Sequence, residues 1–354
     1  MRDLLVGTKK GLFVLRGEAG APLRIAHRLF AGEVVEYAMR DPRSGRVFVS
    51  ATSGWFGPRL MWADDVAGEW RQASGPAFPA EIPDATVERI WVVREAEEHG
   101  VLNAGAAPAS LWRSEDDGES WTLNRGLWDA PTRPEWNPGF GGLALHTICT
   151  WPGDPDRLAV AISAAGVWLS DDRGASWRTG YTGLVPRYVP EEAREGTHAL
   201  CVHSMERAPL KPERLFMQFH GGVYRSDDEG QTWASIAEGL PADFGFPLAV
   251  DPADPDSAFV IPLTADADRV TPEGRVRVYA TRDAGSTWTA HGTGLPQQDA
   301  YLTVLRQAFD QDGGSPLGLA FGATSGDVFA SADGGASWFT AATRLPPVNS
   351  VRFA

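Results

Sequence analysis

The sequence predicts an all-β chain folded as a seven-bladed β-propeller of four-stranded antiparallel blades, closed by its C-terminal strand. Three observations carry that expectation. An eight-residue pattern, Ser/Thr-x-Asp-x-Gly-x-Ser/Thr-Trp, occurs five times, beginning at Ser114, Ser170, Ser226, Thr281 and Ser331, and a worn sixth copy at residues 63–70 keeps Asp65 and Trp70. The copies recur every 50–56 residues, a period that together with short strand signals means propeller blades. Helical periodicity with caps appears nowhere at convincing length.

Each unit repeats one order. A short apolar strand leads to a turn such as residues 151–156, 251–256 or 41–45. A second strand follows (residues 157–162 or 214–219), then a third, then the box, then a fourth strand opened by the Trp. That is a four-stranded meander. Stepping back from the sixth copy reaches residues 11–15, which match the strand that precedes the other boxes, so seven units result. The first unit has strands two to four but no first strand, and residues 348–353 read as a first strand without a blade. The tail is therefore expected to complete the first blade and hide the open sheet edges. One propeller domain then covers residues 1–354, with blades at about 1–31 plus 347–354, 32–82, 83–133, 140–190, 196–241, 244–296 and 299–346.

Box chemistry is turn chemistry. The Asp can accept from turn amides and from the Ser/Thr hydroxyls, the Gly takes a positive φ, and the Trp offers a large face to bury. The repeat resembles the Asp-box, or bacterial neuraminidase repeat, of sialidases, sortilin-type receptors, xyloglucanases and photosystem II assembly factors. In those proteins it is a folding device, so the resemblance speaks for the fold and leaves function to other residues. Loop order and histidines look most like a bacterial group of single propellers that carry an exo-alpha-sialidase label. Sialidases resemble six-bladed propellers with an Arg-Ile-Pro segment and three arginines on a carboxylate. This chain has no such segment, and no arginine falls on the ring inferred below.

Composition narrows the partners. A net charge of −14 and a pI near 5.0 argue against nucleic acid or an anionic membrane. No run is long enough to span a bilayer, and the first residues enter a strand pattern without a leader, so a cytoplasmic protein is expected. Cys149 and Cys201, the only cysteines, read as buried thiols rather than a disulfide.

Function is expected on the face that carries the long loops, residues 124–142, 182–197, 52–59 and 264–274. Counting six residues back from Pro42, Pro152, Pro209 and Pro252 gives Glu36, His146, His203 and Phe246. By strand pattern the other units give Glu88, Tyr301 and Asn349. First strands line a propeller's channel, so these seven should ring its mouth. His146, His203, Glu36, Glu88 and Tyr301 are the expected catalytic groups, as acids and bases. His146, His203 and His220 are the candidate ligands of one divalent metal ion; no other cofactor is expected. Trp55, Trp136, His220 and Asn349 are the expected substrate contacts, aromatic faces suiting a sugar or another flat ligand. Trp128 shares the long loops with them, His198 could overhang the mouth, and Asp266, Asp268 and Arg269 could rim it. The expected function is a small-molecule or glycan-processing hydrolase or lyase. The alternatives are a non-catalytic scaffold that binds a protein through this face, and a sialidase-like glycoside hydrolase.

Overall fold

A computed structural model describes residues 3–138, 141–194, 200–265 and 267–354. Their strands form seven four-stranded antiparallel sheets; six pair in chain order as a meander, and the seventh is led by the C-terminal strand. The innermost strands are Val348–Phe353 in blade 1, Val34–Arg40 in blade 2, Arg89–Glu95 in blade 3 and Leu145–Trp151 in blade 4. Val202–Arg207, Phe244–Val250 and Phe309–Gln311 follow in blades 5 to 7. Each touches the next, and blade 7 touches blade 1, so the ring is closed. Closure works as the sequence predicts: Val348–Phe353 pairs with Leu4–Thr8, with Leu4 opposite Phe353 and Gly7 opposite Ser350.

The boxes hold their turns with one repeated circuit. In blade 4, Ser170 Oγ donates to Asp172 Oδ1 (2.9 Å) and accepts from the Gly174 amide (2.8 Å). The same carboxylate accepts the Ser176 amide (2.8 Å) and hydroxyl (2.5 Å), and Trp177 Nε1 donates back to the Gly174 carbonyl (2.9 Å). The Ser/Thr–Asp part recurs at Asp116, Asp228, Asp283 and Asp333. The residue before the Gly is also left-handed, at φ 56 in Asp117, 60 in Arg173, 72 in Glu229 and 58 in Ala284. Only blade 7 has a glycine there, Gly334. The circuit fixes the hairpin geometry firmly enough to override the side-chain penalty.

Third-strand aromatics pack between blades as expected: Trp62, Trp112 and Trp168 are buried with Phe13, Tyr224, Tyr279 and Phe329. Box tryptophans Trp121, Trp233 and Trp338 are buried too.

Candidate functional site

A β-bulge defines the ring. The ladder between first and second strand skips one residue at Asn349, Glu36, Trp91, His146 and His203, and in blade 6 it shifts at Phe246. A bulge leaves its residue unpaired and re-aims the side chain. Counting back along the blade 7 ladder from Gln311, which pairs with Leu319, puts Gln307 at the same position.

The freed carbonyls knit the blades together. Asn349 Nδ2 donates to the Val35 carbonyl (3.1 Å), the one before Glu36. His146 Nε2 reaches the Val202 carbonyl (3.0 Å), before His203, and His203 Nδ1 reaches the Gly245 carbonyl (2.5 Å), before Phe246. A ring nitrogen facing a carbonyl must carry the proton. His146 is thus the Nε2–H tautomer, and its Nδ1 accepts from Thr147 Oγ1 (3.1 Å). His203 is the Nδ1–H tautomer, which leaves Nε2 as a lone pair. Burial, with the charge of Arg306 nearby, pushes His146 down to about 3 and His203 well below the usual imidazole range. Both are neutral at pH 7.

Two expected ring members are elsewhere. Glu88 is exposed and precedes its strand; Trp91 occupies the blade 3 position, because the strand starts later than its pattern suggests. Tyr301 is 64% exposed, outside the strands of blade 7. Glu36 is on the ring but engaged, its carboxylate 3.1 Å from Arg89 Nε; burial raises its pKa against the pull of Arg89. Trp136 is no ligand platform. It is 5% exposed, packed 5.1 Å from the Trp168 ring, with its indole N–H on Thr132 Oγ1 (3.2 Å). Trp128 lies under the Arg133 guanidinium, 3.4 Å from its ring centroid. Trp55 is 93% exposed beside Phe56 at the tip of the blade 2 hairpin. Asn349 serves the inter-blade bond above. His198 and Asp266 lie outside the described residues.

His146 also drops out of the expected ligand set, since both its ring nitrogens are engaged. Cys201 joins it instead. Ligand atoms of Cys201, His203 and His220 all lie within 4.8 Å of one another. Both cysteines are free thiols; Cys149 is buried, and Cys201 is only partly so.

Sequence reasoning missed Arg306, one residue before Gln307. It lies between the Phe246 and Trp91 rings, its guanidinium carbon 5.1 and 5.9 Å from their centroids. Its Nε and Trp91 Nε1 are buried donors without an acceptor. Gly141, from the long loop entering blade 4, comes close enough that a Cβ there would stand 3.5 Å from an Arg306 nitrogen. Asp312, which opens its turn as Asp41 and Asp251 open theirs, was the signal for this register: counting five back gives Gln307, Glu36 and Phe246.

Below the ring the axis is closed by polar contacts. Arg94 of blade 3 meets Glu206 of blade 5 at 2.8 Å. Arg352 of blade 1 donates to the Gln307 carbonyl (2.7 Å) and to Tyr37 Oη (3.2 Å). Only about 50 Å³ of space remains between the ring and this layer. The channel is therefore blind below its mouth, a funnel whose floor mixes Arg94 and Arg352 with Glu206 and Asp310.

No protein-family model matches the chain. Two curated relatives are a probable oligoxyloglucan-reducing end-specific xyloglucanase of Neosartorya fischeri, 26% identical over 46% of this chain and 19% of its own length, and a xyloglucanase of Paenibacillus sp, 23% identical over 65% of this chain and 23% of its own. The chain thus spans about a fifth of the length of these relatives. Among solved structures, an ancestral GH74 enzyme superposes with a TM-score of 0.58 at 16% identity, over 86% of this chain and 38% of that one. YCF48 from Cyanidioschyzon merolae superposes at 0.55 and 11% identity, over 87% and 84%. The chain is a seven-bladed β-propeller, and its likeness to these solved structures is one of fold.

Proposed function

We propose that the chain is a small-molecule or glycan-processing enzyme, a lyase or hydrolase, whose ligand seats an oxyanion against Arg306. The observation that supports this most is the state of that side chain. Among the described residues no hydrogen bond or ion pair engages its guanidinium; the side chain is half-buried with its Nε out of reach of water, and a cation so withdrawn from solvent is costly unless a ligand supplies the acceptor. Its planar fork suits a carboxylate, as in an acidic sugar. The xyloglucanase relatives support a glycan as the ligand class. A glycosidase needs two carboxyl groups flanking the bond, and on this ring the only one is Glu36, already paired. A lyase needs a cation to neutralise the substrate carboxylate and a base for the adjacent proton, and Arg306 suits the first of these roles.

The test is a binding and turnover screen of acidic against neutral oligosaccharides, repeated with Arg306→Gln. An acidic ligand whose affinity falls about 10–100-fold in the variant, the range for a lost charged hydrogen bond, supports the reading. Preference for neutral xyloglucan fragments, equal in both proteins, overturns it.

The exposed Trp55–Phe56 pair favours a second reading, a scaffold that binds a protein through the long-loop face. Turnover untouched by Trp55→Ser, with no partner retained, removes it.

A further inference from the structure

We infer that Cys201, His203 and His220 form a binding site for a borderline divalent ion of the zinc type, open to the funnel on its remaining coordination positions. The site shares the mouth with the anion reading above but does not depend on it.

Three independent features converge on these residues. The first is position. Cys201 lies opposite His220 across the blade 5 ladder, with the His220 amide donating to the Cys201 carbonyl at 3.0 Å. His203 is two residues on from Cys201, so the bulge brings all three donor atoms within 4.8 Å of one another. A tetrahedral zinc ion with bonds of about 2.0–2.3 Å holds such atoms roughly 3.5 Å apart.

The second is the tautomer of His203. Its Nδ1–H is committed to the Gly245 carbonyl at 2.5 Å. That bond leaves Nε2 as the nitrogen with a lone pair for an ion, and a backbone carbonyl on the far nitrogen is how a ligating imidazole is held. His146, next on the ring, has both nitrogens engaged and offers no lone pair.

The third is the support around the other two ligands. Tyr188, from the long loop after blade 4, accepts the Cys201 amide on its hydroxyl at 2.7 Å. Its ring lies 4.2 Å from that of His220. Phe244 packs against both imidazoles, 5.3 Å from His203 and 5.2 Å from His220. One tyrosine and one phenylalanine thus fix the approach of all three donors.

Donor chemistry selects the ion. Two imidazoles and one thiolate suit zinc, cobalt(II) or a similar ion, whereas magnesium and calcium require oxygen ligands. Binding releases the Cys201 thiol proton to solvent, so loading is tighter at higher pH. Three protein ligands leave at least one position for water or ligand. An oxyanion held by Arg306 could reach the same ion.

Cobalt(II) is the probe. The chelator-treated full chain, titrated with cobalt chloride, is expected to take up one ion per chain and to show a thiolate-to-cobalt charge-transfer band in the near ultraviolet. Cys201→Ser should remove that band, and His220→Ala should weaken uptake at least tenfold. His146→Gln and Cys149→Ser should leave the band unchanged. A wild-type protein that gives no band at saturating cobalt overturns the proposal, whatever the variants do. So does a band that survives Cys201→Ser and disappears in Cys149→Ser. Because the readout is spectroscopic, a positive result stands even if no acidic ligand binds Arg306, and a negative one leaves the anion reading to its own test.

Discussion

The side-chain amide of Gln307 in blade 7 donates to the backbone carbonyl of His146 in blade 4, 2.8 Å away across the propeller axis. These blades are three apart on the ring, so the bond crosses the channel rather than running along its wall. It turns a tunnel into a funnel with a floor. The channel is thereby closed below the long-loop mouth, where Arg306 and the Cys201–His203–His220 cluster lie.

Gln307→Ala should remove that bond. Its carboxamide also accepts from Arg352 Nη2, so two buried partners lose their bond. We expect a stability loss of about 1–3 kcal/mol, the cost of unsatisfied buried groups, read as a lower urea midpoint with an unchanged slope. A midpoint equal to wild type would show that water replaces the amide at no cost.

Acid should destabilise the fold in two stages. His146 is held near 3 in the folded chain and titrates near 6.5 when unfolded. Between those values only the unfolded chain takes up the proton. Its contribution is therefore complete above about pH 6.5 and drains away as pH falls, by at most about 1.4 kcal/mol per pH unit. His203 is depressed in the same direction and adds to the slope. His146→Gln should flatten stability against pH across this window. Lower still, box aspartates enter: hydrogen bonds from Ser176 and Thr287 hold Asp172 and Asp283 below the usual carboxylate range. Their stabilisation is present above the unfolded carboxylate value near 4 and is lost as pH falls through the folded value. Denaturant titrations from pH 8 to 3 check both stages.

Box turns should tolerate glycine at one position and reject alanine at the next. Ala284 has φ 58 and Gly335 has φ 87. Ala284→Gly relieves a left-handed alanine and should change stability by no more than about 1 kcal/mol, towards gain. Gly335→Ala should cost about 1–2 kcal/mol, with its new Cβ 3.3 Å from Leu319 Cδ1. Thermal melts of the two variants should move in opposite directions.

Trp136→Ala should act on stability and spare ligand binding. The indole fills the blade 3–4 core against Trp168, and such truncations cost about 3–5 kcal/mol. If the variant folds with native stability but loses affinity for a sugar, Trp136 faces the ligand after all.

The sequence by itself determined the wheel. Box spacing, the strand order within each unit and the unmatched first strand at residues 348–353 gave seven blades and their closure, because each is a local pattern that repeats. His146, His203, Glu36, Phe246 and Asn349 were legible on the ring for the same reason: a turn Pro or a strand pattern set the register. Tertiary structure decided what those side chains do. Glu88 and Tyr301 gave way to Trp91 and Gln307 because, without a turn Pro, strand pattern alone cannot locate a bulge, and a one-residue slip changes which face a side chain points to. Trp136 went into the core, Glu36 found Arg89 and His146 found two hydrogen-bond partners. Arg306 was left at the mouth with no partner among the described residues. Whether a charge or lone pair is satisfied depends on residues far away in the chain, and only the closed ring brings those together.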